Sequence, residues 1–330
     1  MRILVTGGAG YVGSITVRRL LQAGHEVVVY DNLSRGHAEA VPPETLVVGE
    51  LEDEEHLVSL LGRRQIDAVM HFAALALVGE SVQHPERYYR NNVVGSFHLL
   101  EAMRRTGVDR LVFSSTTATY GTPETMPIPE TTPQNPINPY GFSKLAVERM
   151  LADYAAAHGL AYAALRYFNA AGAAADGTLG EDHTPESHLI PLVLQVALGQ
   201  RPEIQVLGND YPTPDGTCIR DYVHVEDLAD AHLAALDRLQ PGKGIQVNLG
   251  TGRGYSVQEV LDACRKVTGH PIPARIAPRR PGDPPILIAD SRKAAEVLGW
   301  KPRYQTIESI VETAWRWHRN HPHGYRSGPQ

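Results

Sequence analysis

Ile3-Leu4-Val5-Thr6-Gly7-Gly8-Ala9-Gly10-Tyr11-Val12-Gly13 opens the chain and decides its fold. An apolar run of this kind suits a strand buried on both faces. Gly7, Gly10 and Gly13 then follow at G-x-x-G-x-x-G spacing, with Val17, Leu20 and Leu21 beyond them at helical intervals. Strand, glycine turn and helix together are the context in which such a triplet has meaning. Glycines permit a tight turn and a close backbone approach, and the free N–H groups of the helix start suit a pyrophosphate. Tyr11 and Val12 belong to the same loop and are read with it as cofactor-binding. The next strand pattern, Glu26 to Tyr30, ends at Asp31. A carboxylate about 20 residues past the loop can bind both hydroxyls of an adenosine ribose and would repel a 2′-phosphate, which predicts NAD rather than NADP. Arg35 is the nearby group able to meet such a phosphate; we read it as a solvated loop charge.

Working outward, the patterning predicts strands at 45–48, 67–74, 111–113 and 161–167, and helices at 53–63, 85–106 and 140–158. Strand and helix alternating with short links imply an α/β fold, a doubly wound parallel sheet of the Rossmann type. Ligands of such sheets bind beyond the carboxyl ends of the strands. The glycine loop, Asp31, the small-residue turn at 73–76 and Ser114-Ser115-Thr116 all fall at such ends. His71 reads as a satisfied histidine inside the sheet, and Asn91 and Asn92 as amides in mid-helix that bridge to backbone.

After residue 170 the alternation weakens. Residues 177–188 read as a polar loop. Helices are expected at 189–198, 256–267, 291–298 and 306–320, the second N-capped by Ser256 with Glu259 three residues on. Strands are expected at 204–207, within 215–225 and at 245–250, a basic loop at 279–283, and a frayed tail from Asn320. Trp315 and Trp317 read as helix packing. Two domains are expected: 1–169, joined by parts of 218–250, binding the dinucleotide, and a smaller C-terminal α/β domain, 170–330, binding substrate.

Tyr140-Gly141-Phe142-Ser143-Lys144 puts a phenol and an amine four residues apart on one helix face. A free phenol titrates near ~10, and bringing it to neutrality needs roughly 4 kcal/mol of differential stabilisation. The Lys144 ammonium can supply part of that and an oxidised nicotinamide ring more.

Net charge is −6 over 330 residues, which argues against a nucleic-acid partner. Cys218 and Cys264 are the only cysteines and form no metal-ligand cluster, so no metal site is expected, and reduced cytoplasm is the expected compartment. The strand pattern at Met1 leads us to expect no cleaved signal, and no apolar run is long enough to predict a membrane span.

Three separated elements now stand together: the glycine loop, the Ser/Thr strand end and Tyr140-x-x-x-Lys144. With Tyr30-Asp31-Asn32-Leu33-Ser34, Val78-Gly79-Glu80-Ser81, Arg166-Tyr167-Phe168-Asn169, Asp215–Val225 and Arg280-Pro281-Gly282-Asp283, the chain resembles the extended short-chain dehydrogenase/reductase family, and within it the sugar-nucleotide 4-epimerases. The likeness runs nearly end to end. It implies NAD as cofactor and a UDP-sugar substrate. The implied activity is interconversion of UDP-glucose and UDP-galactose through oxidation at carbon 4, rotation of a 4-keto sugar and re-reduction. Tyr140 would be the base, Lys144 would orient the nicotinamide ribose and lower the tyrosine pKa, and Thr116 would meet the reacting oxygen. The resemblance assigns Asn32, Ser34, Glu50, Leu51, Phe72, Ala73, Ala74, Asn91, Ser114 and Phe168 to the cofactor site. It assigns Asn169, His188, Leu189, Arg220, Arg280, Asp283 and Leu287 to the substrate, with Asp283 on the uridine ribose. A homodimer through helices 85–106 and 140–158 is likewise implied. Departures are Ala76 where some members carry lysine, Glu50 for the usual aspartate, and His188 where some have asparagine. Leu287, at the position that tunes sugar size, leaves N-acetylated sugars open. A dehydratase needs an acid and a base beside its threonine; Thr117-Ala118 follow Thr116 here, which disfavours dehydration. Decarboxylation or epimerisation of uronic acids stays open.

Overall fold

A computed structural model provides the fold and describes residues 1–280 and 283–325. Pro281 and Gly282 of the basic loop, and residues 326–330 of the tail, lie outside the described residues. In the first half come β1 (Arg2–Thr6), α1 (Tyr11–Gln22), β2 (Glu26–Asp31), β3 (Leu46–Val48), α2 (Glu54–Arg63) and β4 (Ala68–His71). Next are α3 (Val78–Gln83), α4 (Pro85–Tyr88), a π-helical turn (Tyr89–Val94) and α5 (Gly95–Thr106). β5 (Arg110–Thr116), α6 (Pro139–His158), β6 (Ala161–Tyr167) and β7 (Asn169–Ala171) follow. The second half holds α7 (Leu189–Ala197), β8 (Ile204–Leu207), β9 (Ile219–His224), α8 (Val225–Arg238) and β10 (Gly244–Leu249). It closes with β11 (Gly254–Ser256), α9 (Val257–Thr268), β12 (Ala274–Ala277), β13 (Ile286–Leu287), α10 (Arg292–Leu298) and α11 (Ile307–Asn320).

Seven strands form one parallel sheet in the order β10-β6-β5-β4-β1-β2-β3. Apolar residues cover both its faces, as the uninterrupted runs Ile3-Leu4-Val5 and Val27-Val28-Val29 require. Ile3, Val5, Val17, Leu20, Leu228 and Leu236 pack on one face; Leu4, Leu57, Leu99, Phe113, Val147 and Leu151 pack on the other. The reversal of strand order lies between β1 and β4, and there the ligand crevice opens. A smaller sheet joins β11, β9 and β13, with β7 also on β9, and β8 pairs with β12. α7, α9 and α11 enclose a separate apolar core that includes Val193, Leu194, Val260, Leu261 and Ile310. Ser256 and Glu259 form the expected capping box on α9.

Several local expectations change. The predicted 85–106 helix starts in α4 and is wound wider over Tyr89–Val94, which turns Asn92 inward: its amide bonds the Leu75 carbonyl at 3.0 Å and the Ser143 hydroxyl at 2.9 Å. α3, β7, β11, β12 and β13 were not expected; each is too short to leave a periodic signal. Residues 321–325 are pinned rather than frayed, because the Tyr325 N–H donates to Asp182 at 3.0 Å and its ring packs 4.8 Å from Trp317.

Candidate active site

α6 begins by close approach. The Asn138 side chain accepts from the Gly141 N–H at 2.8 Å, Pro139 occupies the first turn, and a Cβ on Gly141 would meet the Ala118 carbonyl at 2.5 Å. Tyr140, Lys144 and Glu148 then share one face. Glu148 is buried and ties that face to the sheet: it accepts from Arg166 through two bonds of 2.9 and 2.5 Å and from the Ser115 hydroxyl at 2.5 Å. Removing one partner of so buried a pair costs about 3–5 kcal/mol. Sequence reading missed this brace, although the four-residue step from Lys144 to Glu148 was available as a signal.

The Lys144 ammonium donates to the Ser114 carbonyl at 2.8 Å and lies 4.7 Å from the Phe113 ring centroid. Burial pushes its pKa down to about 7, against the pull of Glu148. Burial also raises the Tyr140 pKa, and hydrogen bonding by Thr116 offsets part of that rise. The expectation that Lys144 lowers the phenol is therefore not met by the polypeptide alone: the amine is itself desolvated and engaged with backbone. His71 is buried between the Thr6 hydroxyl, at 2.6 Å, and the Ser96 hydroxyl, at 2.8 Å, and is neutral because burial pushes its pKa down to about 3.

A cleft of about 390 Å³ lies at the carboxyl ends of the strands. Its walls include Gly7, Gly10, Tyr11, Val12, Gly13, Asp31, Asn32, Ser34, Glu50 and Leu51, then Phe72, Ala73, Ala74, Asn91, Ser114, Thr116, Tyr140, Lys144 and Phe168. Asn169, His188, Arg220 and Leu287 line it from the other side. Asp283 reaches this group through Arg220, whose guanidinium donates to it at 2.5 Å and to the Pro284 carbonyl at 2.8 Å. Three expected substrate residues are not among the walls: Asp283, which meets the cleft only through Arg220, Leu189 and Arg280. Leu189 packs against the C-terminal core, as the first residue of α7, and Arg280 stands exposed in its loop.

The profile of the NAD dependent epimerase/dehydratase family matches residues 3–250. The chain belongs to that family. A UDP-glucose 4-epimerase of Halalkalibacterium halodurans is 56% identical over 326 residues, 98% of either chain. The crystal structure of UDP-glucose 4-epimerase from Brucella ovis in complex with NAD superposes with a TM-score of 0.92 at 51% identity, over 95% of this chain and 97% of that one. The Bifidobacterium longum UDP-glucose 4-epimerase, solved with NAD+ and UDP, superposes with a TM-score of 0.93 at 42% identity, over 98% and 100%. The chain is an NAD-dependent isomerase of this family, and NAD is its cofactor.

The NAD side of the cleft is cut for a dinucleotide. A Cβ on Gly7, whose φ is +69°, would lie 2.4 Å from the Ala73 nitrogen, and one on Gly13 would lie 2.2 Å from the Gly7 carbonyl. Glycine at these positions lets the loop pack directly against the end of β4 and the start of α1 against the loop, which sets the tight turn a pyrophosphate site requires. Asp31 is buried at the cleft wall; it accepts from the Ala9 N–H at 3.0 Å and the Leu33 N–H at 2.9 Å, which holds both of its oxygens in place. Arg35 keeps a side chain 36% exposed at the rim of the cleft, where it donates to the Thr184 carbonyl at 2.6 Å and pairs with Glu80 at 3.3 Å. Asn32 donates to Glu50 at 2.9 Å, so the longer carboxylate is held in the wall. Sequence reading missed Tyr167, whose hydroxyl lies 2.5 Å from that of Ser114, and His183; both line the cleft. Tyr167 is flanked by residues already singled out, whereas nothing in a polar loop marked His183. Among the described residues no helix is long and apolar enough to cross a membrane.

Proposed function

We propose that the chain interconverts UDP-glucose and UDP-galactose. The observation that carries this is one wall on which Tyr140, Thr116 and Lys144 converge, facing Arg220 and Asn169 across the cleft. When bound, NAD supplies the reversible acceptor for the hydride at sugar carbon 4, so that a 4-keto sugar forms and is reduced again on its other face. Tyr140 takes the proton of the carbon 4 hydroxyl and gives one back on return. Thr116, adjacent to that phenol, hydrogen-bonds the reacting oxygen. Lys144 holds the nicotinamide ribose, and the Ser114 carbonyl keeps the amine on that side. Arg220 binds the diphosphate as a charge-assisted donor, with Asn169 and Arg280 beside it and Asp283 released onto the uridine ribose. An anchored diphosphate leaves the hexose free to turn, which the exchange of faces requires. Residues 1–169, joined by parts of 218–250 that include α8 and β10, serve the cofactor, and the remaining C-terminal segments serve the nucleotide.

Tyr89, Val94, Phe97 and Phe142 are exposed apolar residues on neighbouring helices, which supports a homodimer through that face. Sedimentation at micromolar concentration checks it, with a monomer as the contrary result. The substrate assay incubates purified protein with UDP-galactose, UDP-N-acetylgalactosamine and UDP-glucuronate separately, adding no cofactor. UDP-glucose from the first is the expected product; turnover of the last alone would replace the proposal with a uronic-acid epimerase.

A further inference from the structure

Glu181, His183, Glu186 and His188, in the loop before α7, bring one ligand atom each to within 4.8 Å of one another. The two carboxylates are sunk into the protein: the Glu181 side chain is 3% exposed and that of Glu186 5%. Among the described residues neither pairs with a lysine or arginine, so only imidazoles stand against the two buried carboxyl groups. Both histidines aim Nδ1 at the same oxygen of Glu181, His183 at 3.1 Å and His188 in closer contact, with their rings edge-on at 5.5 Å. The backbone N–H groups of Ser187 and His188 hold one Glu186 oxygen at 2.7 and 2.8 Å, leaving the other turned toward His183 at 4.0 Å.

The loop's backbone is also held from outside. Arg35 binds the Thr184 carbonyl at 2.6 Å, His37 the Asp182 carbonyl at 2.9 Å and Trp317 the Glu181 carbonyl at 3.1 Å. None of these uses a ligand side chain. Two neutral imidazoles and two carboxylates balance a divalent cation in charge. Four N and O donors suit zinc, whose bonds of about 2.0–2.2 Å put tetrahedral ligands roughly 3.4 Å apart. Calcium and magnesium favour oxygen alone.

We propose that Glu181, His183, Glu186 and His188 bind one divalent transition-metal ion of the zinc type. The ion sits at the edge of the cleft, since His183 and His188 line it. It clamps the loop to the start of α7 and fixes where His188 stands. The role is structural and holds whichever sugar the cleft takes.

The test uses the full-length protein with NAD bound, carrying no histidine tag, freed of metal by dialysis against a chelator and titrated with Zn²⁺ and, separately, Co²⁺. One tight Zn²⁺ per chain by calorimetry, a visible cobalt absorption band and a rise in melting temperature on adding Zn²⁺ are expected. His183→Gln and Glu186→Gln should each weaken binding at least tenfold. The wild-type titrations carry the test even where a variant misfolds. Absence of saturable binding to the wild type, or unchanged affinity in both folded variants, overturns the proposal.

Discussion

The two walls of the cleft satisfy their polar groups in different ways. On the side of β1, β2, β4 and β5, the fold itself does so: Asp31 is held by the Ala9 and Leu33 N–H groups, Lys144 by the Ser114 carbonyl, and Gly7 and Gly13 let backbone pack on backbone where a Cβ would clash. On the side of β9 and β13, ligand-binding groups satisfy one another: Arg220 holds Asp283. The first wall is ready before anything binds. The second must exchange internal partners for a ligand's. That asymmetry matches the proposed reaction, in which NAD stays in place and a sugar nucleotide enters, turns and leaves.

Breaking the first wall at its reacting group has the largest expected effect. Tyr140→Phe should cut turnover by about 10²–10⁴-fold, the range for a positioned acid–base group. Circular dichroism and bound NAD should stay as in the wild type; undiminished turnover would remove Tyr140 from the chemistry. Next is the cradle. In Gly13→Ala the new methyl meets a backbone carbonyl, and strain of about 1–3 kcal/mol should weaken NAD retention roughly tenfold to a hundredfold. NAD released from denatured protein, measured by absorbance, checks this. Arg220→Ala probes the other wall: KM for UDP-galactose should rise about tenfold or more, the worth of a charged hydrogen bond, with NAD content unchanged. Loss of NAD there would mean that the two walls are not independent.

The smallest effect separates the walls by pH. Lys144 titrates near 7 in the fold because it is buried, well below the ~10.4 of an unfolded lysine. Between those values the unfolded chain binds the extra proton, so this residue's contribution to stability rises with pH from about 7 to about 10. The melting temperature of the wild type minus that of Lys144→Met should climb by a few degrees over that range. A flat difference would mean that the amine is not desolvated.

Much of the first wall was legible from residue order, because it is local. A strand, three glycines and a helix start are contiguous, and Asp31 ends the very next strand. Tyr140 and Lys144 are one helical turn apart. The second wall is assembled from residues far apart in the chain. β7 is three residues long and pairs with β9 some fifty residues later, and neither length nor periodicity foretells that pairing. The Glu181–His188 group read as an ordinary polar loop, since its four side chains meet only when the backbone is folded back on α1 and α11. Burial was likewise unreadable at Lys144: spacing suggested a charge able to activate the phenol, whereas the fold desolvates that charge and directs one of its three N–H groups at the Ser114 carbonyl. The π-helical turn at Tyr89–Val94 left no mark in the pattern, because the flanking helices keep their own register.

The central claim is that hydride leaves carbon 4 and returns to the same carbon from a dinucleotide that never departs. UDP-galactose carrying deuterium at carbon 4, turned over by the purified protein in ordinary water with no added cofactor, tests it directly. The account predicts UDP-glucose that keeps its deuterium at carbon 4, with no NADH accumulating at 340 nm. Product that has exchanged that deuterium for solvent hydrogen would contradict it.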